Sequence, residues 1–269
     1  MGTLKRNLTF SLTLPILVLT YLICINAQKA NAYDIPTIWP IASARSFDTP
    51  FDSIAISSDG SLIEYMTENR IFYSRNKGQS FNEFHIYWGG SPIITATNIS
   101  QDGTKLVIGF TDNEESKQYL LYCEGDFESC RSIDSPSANP WTKLYVANDG
   151  QKIAGVVESQ NVSYNSGNDL YDLTIYTSTN SGTTWTQGDT QTASLSRWRT
   201  NLKGSADGSK LAWSTRNNEL LITSNFGETW NHSGLHVQSL GMSSNGQHIL
   251  AGYSHLYNFI SSSSYTDDE

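Results

Sequence analysis

The chain has little positive charge. Lys and Arg together number 17 against 26 Asp and Glu, for a net charge of -9. A surface of that sign argues against nucleic acid and against anionic membranes as partners. Cysteine is scarce as well, with three in 269 residues, which rules out a dense disulfide scaffold. The five histidines, His85, His232, His236, His248 and His255, show no metal-ligand spacing, and Gly234 interrupts the His232/His236 pair. No metal and no cofactor are expected. No stretch repeats apolar residues at helical spacing, and no low-complexity linker divides the chain. Motifs of nucleophilic catalysis, paired-carboxylate chemistry and phosphate binding are missing too.

The amino end is of another kind. Lys5 and Arg6 precede an uncharged apolar run from Leu8 to Ile25, and Ala30-Asn31-Ala32 offers small residues for cleavage. Residues 1–32 therefore read as a secretory signal peptide, and 33–269 as one exported domain. The alternative is an uncleaved anchor, since the run approaches the length of a membrane span. Cleavage after Ala32 removes three cations and no acid, taking the net charge to -12. No membrane insertion is expected of the mature chain, and it reads as a monomer.

What the chain has in quantity is Ser, Thr, Asn, Gly and aromatics, the composition of an all-β exported domain. Five segments share one pattern of strand, Asx-Gly turn, strand, centred on Asp59, Asp102, Asp149, Asp207 and Asn245. Their spacings are 43, 47, 58 and 38 residues. Apolar residues recur in register four positions after each turn, at Ile63, Leu106, Ile153, Leu211 and Ile249. Repeats of this length with four short strands each predict propeller blades.

A second turn follows within the repeat. Ser178-Thr179-Asn180-Ser181-Gly182-Thr183-Thr184-Trp185 returns as Thr223-Ser224-Asn225-Phe226-Gly227-Glu228-Thr229-Trp230, and with Phe for Trp as Ser74-Arg75-Asn76-Lys77-Gly78-Gln79-Ser80-Phe81. These segments resemble the Asp-box, or bacterial neuraminidase, repeat of sialidase-like β-propellers, in a degenerate form with Asn where the box carries Asp. In this frame Ser74, Asn76, Gly78, Ser178, Asn180, Gly182, Trp185, Thr223, Asn225, Gly227 and Trp230 are structural residues. Asn180 to Gly182 are expected to supply the left-handed backbone of the turn. Aligned on the box, Cys123 takes the Ser position and Cys130 the Trp position, so a disulfide between them would close the one hairpin that lacks box contacts. Two free thiols are the alternative.

The expected fold is an all-β propeller of four-stranded antiparallel blades. It has five blades, with Pro36–Ala42 supplying the outer strand of the last one and closing the ring. A truncated six- or seven-bladed ring is the competing account.

Ligand sites are sought in the loops 85–91, 111–117, 132–140, 158–172 and 187–197, the face that the resemblance implies for ligands. Tyr87 and Trp88 fall outside the repeat register, where the pair either stacks on a ligand or caps its loop against the core. Arg197, Arg199 and Arg216 are the cations that could meet an anionic ligand, or instead pair with a neighbouring blade's acid. The sialidase-like activity that the resemblance implies needs an Arg triad and a Phe/Tyr-Arg-Ile-Pro segment. Ala44-Arg45-Ser46-Phe47 lacks the Ile-Pro. The reading is a secreted, non-catalytic module that binds a protein or a glycan. Its alternatives are a sialidase-like glycosidase and a structural part of a surface assembly.

Overall fold

The computed structural model describes residues 53–67, 69–88, 92–125, 127, 129–161, 170–194, 200–215, 217 and 219–252. All belong to one compact unit, Phe47–Glu269. Blade 1 holds β1 (Ser53–Ile56), β2 (Ile63–Thr67), β3 (Arg70–Ser74) and β4 (Asn82–Phe84). Blade 2 holds β5 (Ile93–Ile99), β6 (Lys105–Asp112), β7 (Lys117–Glu124) and β8 (Ser129–Asp134). Blade 3 holds β9 (Trp141–Val146), β10 (Ile153–Asn161), β11 (Leu170–Ser178) and β12 (Thr186–Ser194). Blade 4 holds β13 (Asn201–Gly204), β14 (Leu211–Ser214), β15 (Glu219–Thr223) and β16 (Asn231–His236). A fifth sheet pairs β17 (Ser239–Met242) with β18 (Ile249–Gly252). Each complete blade is an antiparallel meander in chain order.

The expected propeller is therefore present as four blades and part of a fifth. Pro36–Ala42 and the third strand of blade 5, expected at 256–260, lie outside the described residues.

Burial follows position in the blade. The second strand of blade 4, β14, is buried at every residue, whereas its outermost strand, β16, is exposed at every residue. Inner strands are covered on both faces by neighbouring blades, so they read as continuous apolar runs. Outer strands have no such signal. That is why 187–197, expected as a loop, instead contains most of β12, whose sequence Thr-Gln-Gly-Asp-Thr-Gln-Thr-Ala-Ser carries no apolar alternation. Among the described residues the core consists of four apolar clusters, one at each of the junctions 1/2, 2/3, 3/4 and 4/5.

The two turn types explain the repeat. In the first, Ser57 Oγ donates to Asp59 Oδ1 (2.7 Å), which also accepts from the Ser61 amide (2.9 Å). These bonds hold the Asp59 carboxyl down to about 2. In the second, Ser178 Oγ accepts from the Gly182 amide (2.9 Å), and Asn180 Oδ1 accepts from the Thr184 amide (2.9 Å). Asn180 Nδ2 meanwhile donates to Thr184 Oγ1 (2.8 Å), a bond that Asp could not give. The blades 1 and 4 copies repeat all three bonds. The left-handed backbone falls within the expected segment Asn180 to Gly182, at its last two residues. Ser181 and Gly182 take φ of 54° and 83°, and Asn180 works through its side chain.

The first-type turns join around the ring. Ser58 donates its amide to Gln101 O (2.6 Å), Asp102 to Asn148 Oδ1 (3.1 Å), Asn148 to Ala206 O (2.9 Å) and Ala206 to Ser244 O (2.7 Å). The Ser244 and Ser58 hydroxyls then meet at 3.3 Å. The circuit is complete with five turns. Gln101 Nε2 crosses it to reach Gly204 O (2.9 Å).

Away from the turns the fifth junction differs from the others. Ile54 and Leu250 are 65% and 80% exposed, while Leu144 and Val107, at the same positions of their own repeats, are buried.

Candidate functional site

After β4 the chain runs on as His85-Ile86-Tyr87-Trp88 along the outer side of the junction between blades 1 and 2. Tyr87 is 94% exposed. Trp88 is half-buried and fixed by three contacts: its Nε1 donates to Asp112 Oδ2 (2.7 Å), and its ring meets Phe110 and Tyr119 with centroids 4.9 Å away in each case. The bond from Trp88, with amides of Glu114 and Glu115, keeps the Asp112 carboxyl below its usual range. Trp88 thus anchors the segment and Tyr87 projects from it. Arg197, Arg199 and Arg216 lie outside the described residues.

Beside Tyr87 opens a groove of about 560 Å³. Tyr73, Phe84, Ile86, Trp88, Leu121 and Phe127 line it together with Tyr87. Aromatic and aliphatic walls of this kind accept an apolar side chain and leave polar groups at the edge to set its direction. One such group is Glu83, whose carboxylate takes a two-pronged bond from the Arg70 guanidinium, with Nε at 2.7 Å from Oε1. That fork holds Glu83 below the usual carboxylate range.

The far wall belongs to the odd turn of blade 2. Cys123 and Cys130 face each other across β7 and β8 and form a disulfide. Cys123 is fully buried; Cys130 is exposed and lines the groove. Between them Phe127 takes a φ of 66° and turns its ring inward, edge-on to Tyr73 at 5.9 Å. Arg75 lies 4.6 Å over the Phe127 ring and donates to Gly125 O (2.8 Å).

The remaining described arginine, Arg131, donates to Ser181 O. Arg70, Arg75 and Arg131 are thus each bound to a different partner: Glu83, Gly125 O and Ser181 O. No group of three or more His, Cys, Asp and Glu that could hold a metal ion occurs among the described residues.

Three features escaped the sequence reading. Phe84, Ile86 and Trp88 alternate, so the apolar side of the segment was there to be read. Lys203 lies on β13, the inner strand of blade 4, and burial lowers its ammonium below the usual range. Glu64, fully buried at the same junction as the groove, gave no sign at all, because an acid in an apolar run does not reveal which side it faces.

No protein-family model matches the chain, and no curated protein matches it. Solved structures similar to it include YCF48 bound to a D1 peptide, with TM-score 0.39 and 13% identity over 68% of this chain and 55% of that one. Another is the β-propeller domain of Cps50 (Swd1) from Myceliophteria thermophila, with TM-score 0.45 and 12% identity over 74% and 61%. A third is a prolyl endopeptidase, with TM-score 0.44 and 10% identity over 72% of this chain and 31% of that one. The chain thus spans less than two thirds of each, and what its own strands establish is an all-β propeller of four-stranded antiparallel blades.

Proposed function

We propose that this protein is an exported, non-catalytic binding module that takes up a protein segment in the groove between blades 1 and 2. The observation that carries the reading is Tyr87, almost wholly exposed at the mouth of an aromatic groove and held there by its anchored neighbour Trp88. A large apolar ring kept in water by a rigid support is what an interface anchor looks like before its partner arrives. The disulfide supports an oxidising compartment outside the cytoplasm. Aliphatic Ile86 and Leu121 among the rings favour an apolar side chain over a sugar, which needs more hydrogen-bonding groups around its stacking face.

The test presents residues 33–269 with a displayed random-peptide library, a glycan array and a fluorogenic sialoside in parallel. Peptides sharing an apolar or aromatic anchor are the expected result. Their binding should weaken about tenfold or more in Tyr87→Ala, and vanish in Ser132→Trp, which fills the groove from exposed β8. Turnover of the sialoside would make this an enzyme. Selection of glycans alone would replace the partner class.

A further inference from the structure

One wall of the groove is a turn closed by a covalent bond, with Arg75 donating to Gly125 O (2.8 Å) and the Gly125 amide to Thr104 O (2.9 Å). In blades 1, 3 and 4 the second-type turn is held by hydrogen bonds from its Ser or Thr and its Asn. Blade 2 has Gly125 at the Asn position and Phe127 at the Gly position, and none of those bonds among its described residues. Among its described residues the hydrogen bond inside the turn is the Phe127 amide to Glu124 O (3.1 Å), and the disulfide sulfur of Cys130 lies 3.3 Å from Phe127 O without donating to it. Phe127 keeps a left-handed backbone there, which a residue with a bulky side chain adopts only where its surroundings impose it. The Cys123–Cys130 bond spans that residue and closes the turn at its base.

We propose that this disulfide is a redox latch for the groove: the oxidised protein holds Phe127 and Cys130 as a binding wall, and reduction releases it. The inference rests on the groove's being the binding site, as argued above. The two sulfurs are placed for directed attack. Cys130 is exposed at the groove and Cys123 is buried, so a thiolate approaches Cys130 Sγ. A dithiol reductant of the compartment forms a bond to Cys130 Sγ. The Cys123–Cys130 bond breaks, its electron pair passes to Cys123 Sγ, and that sulfur takes up a proton. The second thiol of the reductant then attacks the mixed disulfide and frees Cys130 as the second thiol. In sum the protein gains two electrons and two protons, and the reductant becomes a disulfide.

Hydrogen exchange on residues 33–269, with and without dithiothreitol, tests the latch without any ligand. Thiol alkylation and mass measurement confirm that the bond is open. Reduction should speed amide exchange about 10- to 100-fold in residues 124–132 and more weakly in 84–88. The blade 3 turn, 178–185, should not change. Equal exchange in 124–132 with the bond shown to be open would overturn the proposal. A peptide selected by the oxidised protein should bind at least about tenfold more weakly after reduction. If no peptide is selected, the binding reading fails and the exchange result alone decides the latch. Because Cys123 is buried, Cys123→Ser/Cys130→Ser could unfold. Cys123→Ala/Cys130→Ala serves as the second variant, and it should show the exchange of the reduced protein and ignore the reductant.

Discussion

The junction between blades 3 and 4 and the junction between blades 1 and 2 occupy the same place in the repeat and are built differently. The first is apolar throughout its centre, with Val156, Ile175, Leu202 and Leu211 around Trp213. Trp213 Nε1 donates to Thr200 Oγ1 (2.7 Å), whose own hydroxyl donates to Ser214 O (2.7 Å), while Trp230 Nε1, packed against the same cluster, is buried without a partner among the described residues. Second-type turns with Asn lie at the ends of both its blades. The junction of blades 1 and 2 has Glu64 where the other has Ala154, and Thr97 where the other has Leu202. It also carries the disulfide turn in place of the Asn turn, and the groove. One junction is organised mainly for packing. The other holds the buried carboxyl, the disulfide turn and the groove.

The sharpest way to expose the difference is to remove the largest side chain of the apolar junction. Trp213→Ala should cost about 3–5 kcal/mol, from lost transfer energy and the remaining cavity. Urea unfolding measures it. A loss below about 1 kcal/mol would mean that blades 3 and 4 are not held by this cluster.

Glu64 tests the other junction. It is fully buried between Leu62 and Met66, and one carboxylate oxygen accepts from Thr97 Oγ1 (2.7 Å) while the other has no partner. Burial pushes the carboxyl from 4.5 up to about 7, against the opposing bond from Thr97. The folded state therefore keeps a proton that the unfolded chain gives up above 4.5. Stability is complete below that pH, falls between 4.5 and 7, and is lower by about 3 kcal/mol above 7. Glu64→Gln keeps an acceptor for Thr97 and removes the charge. It should stabilise the protein by about 3 kcal/mol at pH 8 and leave it unchanged at pH 4. Equal stability of both proteins at pH 8 would show that Glu64 reaches water or a cation.

These contrasts also mark what could be read from residues alone. The five Asx-Gly turns and the three Asn turns are local, because each sets its own backbone within eight residues, and they gave the propeller, its blades and the disulfide. The groove is not local. It joins Phe84 to Trp88 with Phe127, some forty residues away, across a junction whose pairing follows from ring closure and not from any short motif. Tyr87 and Trp88 were singled out because they break the register, and their roles turned out to be different ones. Which ring points out depends on Asp112, a partner on another blade.

The smallest expected effect concerns the turns themselves. Asn225 Oδ1 accepts from Thr223 Oγ1 (2.7 Å) and the Thr229 amide (3.0 Å), and Nδ2 donates to Thr229 Oγ1 (2.9 Å). In Asn225→Asp both accepted bonds remain, and the exposed Thr229 hydroxyl can rotate to donate instead. The cost at pH 7 should stay within about 0.5 kcal/mol. What changes is the response to acid. Asp207, in the first-type turn of the same blade, is held down to about 2 by bonds from Ser205 and Ser209. A carboxylate at 225 with similar partners should likewise be lowered. It would contribute stability above pH 4 that is lost as pH falls through its depressed value. Wild type and variant should therefore coincide at pH 7 in urea titrations and separate between pH 4 and 2. A loss above about 2 kcal/mol at pH 7 would instead show that this turn requires a neutral residue, because a charge there would disturb the junction of blades 3 and 4 on which Phe226 packs.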